Sequence, residues 1–517
     1  MKTKLLPILF SFYFTQTLCA LLSCSNPYNI SNYEIKETSP QIEPDYTNLV
    51  IPPNIAPMNF TILEKGEKFL VKIYVDSNDV LRLPSRTPRI KIPPAPWLKI
   101  LNHNKGKTIY FEIFAYDGKW TKYKRFGNKI APEPIDRYLV YRFLRPNYTV
   151  QKEMQIRQRD LQSDKESLVM TTKTIAGCIN CHTFHQNDPD KMLFHIRWGA
   201  AAGTIIAKKK HIAKIDTRTD FNQSPGAYPS WHPNGIAVAF SVNKVQQFFH
   251  AAGNSRDVID LTSDIIMYQT ESHTVVVEPQ LTSRSYMETF PDWSPDGRSL
   301  YFCRAPQLEA DFDLDQDYRT IKYDLMRLPY NPDTEEWGRL ETLVFASETG
   351  LSCSQPRVSP DGKFLLFCMA EYGNFPIFHS SADLYIMSLE NNQIHRLGAN
   401  SDAPEGFHSW SSNSRWIVFT SKRDNTIFTR LYFSYVDQQG VAHKAFILPL
   451  QEPENYRTNF NAYSVPELIK NPIPYRPQQF IDVALDVEHA QRAQLAPGTV
   501  LSPQPEIADS PSATDFP

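Results

Sequence analysis

The chain has 517 residues, enough for two or three domains that each bury a core. Its 54 Lys and Arg nearly match its 56 Asp and Glu, and no basic tract occurs beyond Lys208-Lys209-Lys210, so there is no field to gather phosphates and no nucleic-acid partner is expected. Aromatic residues make up 12% of the chain and long apolar runs at helical period are scarce after the first few dozen residues, which predicts an all-β protein.

In chain order, Lys2 and Lys4 precede an apolar run over residues 5–22, the charged-then-apolar pattern of a secretory signal. The run ends in Leu21-Leu22-Ser23-Cys24, which resembles the bacterial lipobox. That resemblance implies a signal peptide over 1–23, lipidation of Cys24 and a membrane anchor; an uncleaved membrane-spanning helix is the competing reading. Residues 24–50 mix Ser, Asn, Pro and Tyr without periodicity and read as a tether. Residues 51–165 carry β-branched and aromatic runs such as Phe69-Leu70-Val71-Lys72-Ile73-Tyr74-Val75, which, with a strand from Tyr138 to Phe143, predict an immunoglobulin-like β-sandwich.

An internal repeat decides the second half. YPSWHPNG begins at Tyr228, FPDWSPDG at Phe290, QPRVSPDG at Gln355 and the worn FHSWSSNS at Phe407, each followed by an apolar run such as Leu365-Leu366-Phe367-Cys368. A period of that size, with Pro and Asp-Gly turn chemistry ahead of a strand, predicts propeller blades. The wording resembles the TolB-type repeat, implying a TolB-like β-propeller of five or six blades over 166–484. Cys303 and Cys368 fall in matching strands and read as buried core residues. The tail, 485–517, lacks core pattern and reads as disordered.

The stretch AGCINCHTF, residues 176–184, stands at the head of the first blade, and the following Asp188-Pro189-Asp190-Lys191 and Met192-Leu193-Phe194-His195-Ile196 place it in a loop before a strand. Chance would produce Cys-x-x-Cys-His in this composition on the order of 0.002 times. Two thiols at this spacing can form thioethers with haem vinyl groups, and the adjoining imidazole is carried to the iron. The expectation is one covalent haem c, with Cys178 and Cys181 as attachments and His182 as axial iron ligand. Structural zinc wants a second ligand cluster, and a thiol–disulfide catalyst wants a βαβ setting; neither is evident. For the sixth iron position the candidates are His232, His195 and Met192, each with a structural alternative as strand core or turn residue. No catalytic residues are assigned, and the alternating acids Asp311, Asp313, Asp315 and Asp317 lack the glycine of a calcium loop.

The lipobox, the sandwich, CINCHTF and the repeats together resemble the TolB-like propeller lipoproteins of Bacteroidetes that carry a single c-type haem motif, sometimes labelled cytochrome c biosynthesis proteins. The resemblance implies a lipid-anchored protein of the cell envelope facing the periplasm, at the outer membrane, with envelope or redox proteins as partners. It implies architecture and haem, and no reaction. Electron transfer or protein docking is the leading function. A non-redox TolB-like binding scaffold with structural or sensory haem is the alternative, and an open-iron enzyme is the less favoured third.

Overall fold

The computed structural model describes residue 28 and residues 30–76, 78–145, 153–175, 177–249 and 256–499. The signal segment, Cys24 and the last stretch of the tail lie outside the described residues.

Six sheets of four or five strands form a β-propeller. Their innermost strands, which name blades 1 to 6, are Cys178–His185, Ala227–Trp231, Tyr286–Trp293, Ser352–Val358, Glu405–Trp410 and Ala462–Ile469. Each touches the next, and the sixth touches the first, so the ring is closed. Blade strands are packed from both sides, which is why a run such as Leu365-Leu366-Phe367-Cys368 is apolar at every position and wholly buried. The turn out of an innermost strand is held by its serine: Ser294 Oγ accepts from the backbone N–H of Arg298 and Ser299 at 3.1 and 2.9 Å. Gly235, Gly297 and Gly362 follow in that turn at φ of 70–72°, where a Cβ would be strained.

Ring closure joins distant parts of the chain. Innermost Ala462–Ile469 pairs antiparallel with Tyr138–Leu144, followed outward by Gln155–Asp160 and Glu166–Thr171. The segment expected to end the sandwich therefore supplies two of the four strands of blade 6, Tyr138–Leu144 and Gln155–Asp160. A seven-residue strand has the same local pattern in either unit, and only its partner distinguishes them.

Ahead of blade 6, a seven-stranded and a three-stranded sheet share one core with the helix Pro94–His103. The helix buries Trp97, whose indole donates to the Ile55 carbonyl at 3.0 Å. Two parallel pairings, Glu34–Lys36 beside Lys119–Tyr123 and Val50–Ile51 beside Phe126–Ile130, and the helix itself are additions to the expected antiparallel plan. Most of the expected tether is folded: Ile42, Tyr46 and Leu49 are buried, too sparse to show a period but apolar enough to hold the segment down. The same core runs on into blades 4 and 5, where Trp416 is fully buried and donates to the Glu133 carbonyl at 3.1 Å.

Residues 485–499 of the expected disordered tail lie against blades 1 and 2. The helix Pro477–Leu485 seats Phe480 on Phe194 of blade 1, ring centroids 5.2 Å apart. Gln491–Arg492 then pairs in parallel with the outer strand of blade 1, His211–Asp216, and Gln494–Leu495 with that of blade 2, Thr274–Val277. Two-residue pairings use backbone groups alone, so composition does not reveal them.

Replacing Trp416 by Ala should remove the shared packing of the N-terminal unit and blade 5. A loss of about 3–5 kcal/mol is expected in urea unfolding followed by fluorescence.

Candidate functional site at the mouth of the ring

Cys178 pairs with Arg197, Ser352 with Ala370 and Glu405 with Ser421, so each innermost strand begins where its neighbour in the blade ends. All the loops joining second to third strands therefore emerge at one end of the ring, here its mouth. In blade 2 the second and third strands, Ala237–Phe249 and Arg256–Gln269, stay paired to Phe249 and Arg256, well past Ser241 where the innermost strand stops. This hairpin leans over blades 3 and 4. Its Asp257 accepts from His379 Nε2 at 2.7 Å and from the Tyr372 hydroxyl, and its Asp260 from Asn374 Nδ2 at 2.6 Å and the Tyr323 hydroxyl at 3.3 Å.

CINCHTF, residues 178–184, lies in the innermost strand of blade 1 itself, and not in the preceding loop. The strand skips one register step between Asn180 and Thr183, leaving Cys181 and His182 as a bulge. Every innermost strand has the same bulge, and its first residue lies at positive φ: Cys181 at 54°, Tyr228 at 45°, Phe290 at 54°, Gln355 at 54°, Phe407 at 46° and Val465 at 47°. The second bulge residue is Pro229, Pro291, Pro356 or Pro466 in four blades, and His182 or His408 in two. Proline suits a position that leaves the ladder. CHTFHQND thus aligns residue for residue with YPSWHPNG and FHSWSSNS. The signal was present in the sequence as the dipeptide two residues before the Trp or Phe.

The geometry gives the motif's side chains separate neighbours. Cys178 Sγ lies 3.2 Å from Met154 Sδ and accepts from Asn180 Nδ2 at 3.0 Å. Cys181 faces blade 2, with the backbone N–H of Tyr228 directed at its sulfur and Arg197 and Arg142 nearby; burial raises its pKa. Both thiols are free. The imidazole of His182, 2% exposed, is turned into the seam with blade 6 beside the carbonyls of Val140 and Val465, and neither ring nitrogen has an aligned hydrogen-bond partner. Burial, with Arg142 adding to it, pushes its pKa down to about 3, so the ring is neutral. His408 sits alike in the seam between blades 4 and 5, with Nε2 3.2 Å from the Leu366 carbonyl and Nδ1 3.7 Å from Cys368 Sγ, and neither cysteine of a Cys-x-x-Cys-His pattern precedes it, the positions being Pro404 and Phe407.

The residue types are those of a haem c motif: two unbridged thiols and a neutral imidazole, the latter beside the Val140 and Val465 carbonyls. In the folded geometry the ring faces the seam while the Cys181 thiol faces blade 2, so iron ligation on the thiol side entails a turn of His182 out of the seam.

The three residues expected near the sixth iron position are dispersed. His232 stands at the far end of its strand, with Nε2 3.2 Å from the Gly297 carbonyl of the next blade and its ring edge-on to Trp293. Met192 is wholly buried in the core that blade 1 shares with blade 6. His195 pairs across the sheet with Asn180 but is 1% exposed, its Nδ1 3.3 Å from Thr204 Oγ1. Met154, in contact with Cys178, escaped sequence reasoning because it lies 24 residues upstream in a segment read as sandwich. Among the described residues no group of three His, Cys, Asp or Glu could hold a metal ion; Asp313 instead caps the short helix Leu314–Asp317.

No protein family matches the chain, and neither does any curated protein. Among solved structures, oligogalacturonate lyase from Vibrio parahaemolyticus is 11% identical, with a TM-score of 0.31 over 73% of this chain and 100% of its own. A putative 6-phosphogluconolactonase from Bacteroides uniformis is 10% identical, with a TM-score of 0.31 over 74% of this chain and 97% of its own. Puromycin hydrolase is 13% identical, with a TM-score of 0.36 over 60% of this chain and 45% of its own. These distant likenesses say nothing of activity.

Asp260 supplies a test of the hairpin's seat. Burial lifts its pKa from 3.8 to about 6 against the donors Asn243, Asn374 and Tyr323. Between those values the folded chain holds a proton that the unfolded chain has lost, so this residue makes stability fall as pH rises from about 4 to 6. Asp260→Asn should raise stability at pH 7 by about 2 kcal/mol relative to its effect at pH 4, read from urea melts at the two pH values.

Proposed function

We propose that this chain is an exported, lipid-anchored c-type haem protein of the cell envelope, and that the mouth of its propeller presents the haem to redox or docking partners. The observation that carries this reading is the run Cys178, Cys181 and His182 on the innermost strand of blade 1, with both thiols unbridged and the imidazole neutral. Cys178 and Cys181 would hold the haem covalently and His182 would ligate its iron; bound there, haem would supply a one-electron couple. The protein's part is to fix the thiols on a strand anchored by the whole ring and to keep the imidazole unprotonated. The hairpin of blade 2 leans over the blade 3 and blade 4 side of the mouth. The TolB-like character, the periplasm-facing anchor at the outer membrane and the immunoglobulin-like nature of the N-terminal unit belong to this proposal and rest on the sequence resemblance.

A second reading is favoured by His408. A histidine in the second bulge position is accommodated in blade 5 without any Cys-x-x-Cys, so His182 can be wholly architectural and the propeller a non-redox binding scaffold.

Full-length protein made together with haem-attachment machinery should show a covalent Soret band that persists under denaturation, and Cys178→Ala should lose one thioether. Wild-type protein without covalent haem would sink the first reading. His182→Ala and His408→Ala separate the two: equal losses of thermal stability with no spectral change support the scaffold, whereas an altered iron spectrum in His182→Ala alone supports ligation.

A further inference from the structure

The seven-stranded sheet of the N-terminal unit has one face in the shared core and one turned away from it. Along Thr108–Asp117, Ile109, Phe111 and Ile113 enter the core, so Tyr110, Glu112, Phe114 and Tyr116 share the outward face. The ladder places Lys68 opposite Tyr116, Lys72 opposite Glu112 and Tyr74 opposite Tyr110 on one side. On the other side Lys122 stands opposite Phe114, Trp120 opposite Tyr116 and exposed Lys129 opposite Thr108. Of the outer strand Asn78–Ser85, Arg82 lies opposite Lys72.

Four of these cations are laid over rings. Lys68 Nζ is 4.8 Å from the Tyr116 centroid and Lys72 Nζ 5.0 Å from that of Phe114. Lys122 Nζ is 5.8 Å from Phe114 and 5.9 Å from Tyr33, and Arg125, just before Phe126–Ile130, is 4.7 Å from Tyr110. On the strands Lys68–Val75, Thr108–Asp117, Lys119–Tyr123 and Phe126–Ile130 the one carboxylate of this face is Glu112, which holds Lys122 at 2.9 Å and accepts from the Tyr74 hydroxyl at 3.3 Å. At the edge, Ile35 stands opposite Lys122 and is 67% exposed, and Tyr33 is 40% exposed.

Lysine and arginine stems lying on aromatic rings, with the charges outermost, give a flat surface that is apolar in its body and positive at its tips. That combination matches an anionic bilayer, where phosphates meet the charges and amphipathic rings sit at headgroup depth. A sheet face is broad rather than concave, so an extended surface suits it better than a small molecule. Chain length points the same way: Cys24, the lipidated residue of the reading above, is nine residues before Tyr33, a span of at most about 30 Å. An anchor at Cys24 therefore keeps the edge of this face within that distance of the membrane.

We infer that the outward face of this sheet docks on anionic phospholipid headgroups through Lys68, Lys72, Lys122 and Arg125, with Tyr33, Ile35 and Trp120 at headgroup depth. The choice of a membrane as occupant rests on the anchored reading above; the charge and aromatic pattern of the face does not.

The chain from Ser25 onward, made without lipid, contains every described residue and is the form to test, with circular dichroism as the check on folding. It should cosediment with vesicles of phosphatidylglycerol and phosphatidylcholine in equal parts, at least about tenfold more tightly than with phosphatidylcholine alone, and added salt should weaken the binding. Lys68→Glu/Lys72→Glu should reduce binding to the anionic vesicles at least about tenfold. Lys99→Glu/Lys105→Glu makes the same change in net charge on and just after the helix Pro94–His103, which packs on the core side of the sheet, and should leave binding nearly unchanged. No binding, equal binding to both vesicles, or equal losses in the two double variants overturns the inference. Capture of alginate by a chain that ignores the vesicles also overturns it and assigns the face to an acidic glycan. Lipid on Cys24 is read separately, by mass spectrometry of the full-length protein from expressing cells. An unlipidated Cys24 with charge-dependent vesicle binding refutes the anchored reading and leaves this inference standing; a lipidated Cys24 without vesicle binding does the reverse.

Discussion

The pairing of Ala462–Ile469 with Tyr138–Leu144 is the constraint on which the rest of the molecule depends. A propeller is a ring of sheets that each need neighbours on both faces, and an open ring would expose two blade faces to water. Here the closing sheet takes three strands from before blade 1 and its innermost strand from after blade 5. The backbone ladder of one sheet thus holds the two ends of the ring together. The terminal strap reinforces the joint, since Lys214 of blade 1 donates through Nζ to the Ala484 carbonyl at 2.8 Å and Gln158 of blade 6 accepts from the Ile473 backbone.

Closure also determines the candidate site. The motif strand of blade 1 packs directly on blade 6, so His182 meets Val140 and Val465, Cys178 meets Met154, and Asn180 meets Arg142. None of these neighbours is near in sequence to the motif in the sense of a shared hairpin; all arrive because the ring closes at this seam. The bulge adds a second local condition. It holds Cys181 at positive φ and turns successive side chains to different surroundings, which is why a thiol and an imidazole adjacent in sequence have different neighbours in the fold.

Much of the architecture was legible. Where they occur in the copies, the Trp, the Pro and the Asp-Gly mark the innermost strand, its bulge and its exit turn, and the fully apolar runs mark second strands with two buried faces. Cys303 and Cys368 are buried within such strands, as their pattern implied. Illegible were the strands whose identity depends on a remote partner: Tyr138–Leu144, assigned to the wrong unit, and Gln491–Arg492 and Gln494–Leu495, hidden in a segment of disordered composition. The motif's placement was missed by three residues, because Pro189-Asp190 resembles the Pro-Asp of the exit turn although the bulge dipeptide gives the true register.

The sequence by itself determined that this is a repetitive all-β protein and that two thiols and an imidazole stand together at Cys178, Cys181 and His182, because turn chemistry, strand pattern and ligand spacing are local properties. Only the tertiary structure decided that there are six blades, that His182 lies neutral in the blade 6 seam, and that Arg142 reaches Asn180 of the motif. The physical reason is that ring closure sets burial and charge proximity, and it joins strands more than 300 residues apart that no local pattern connects.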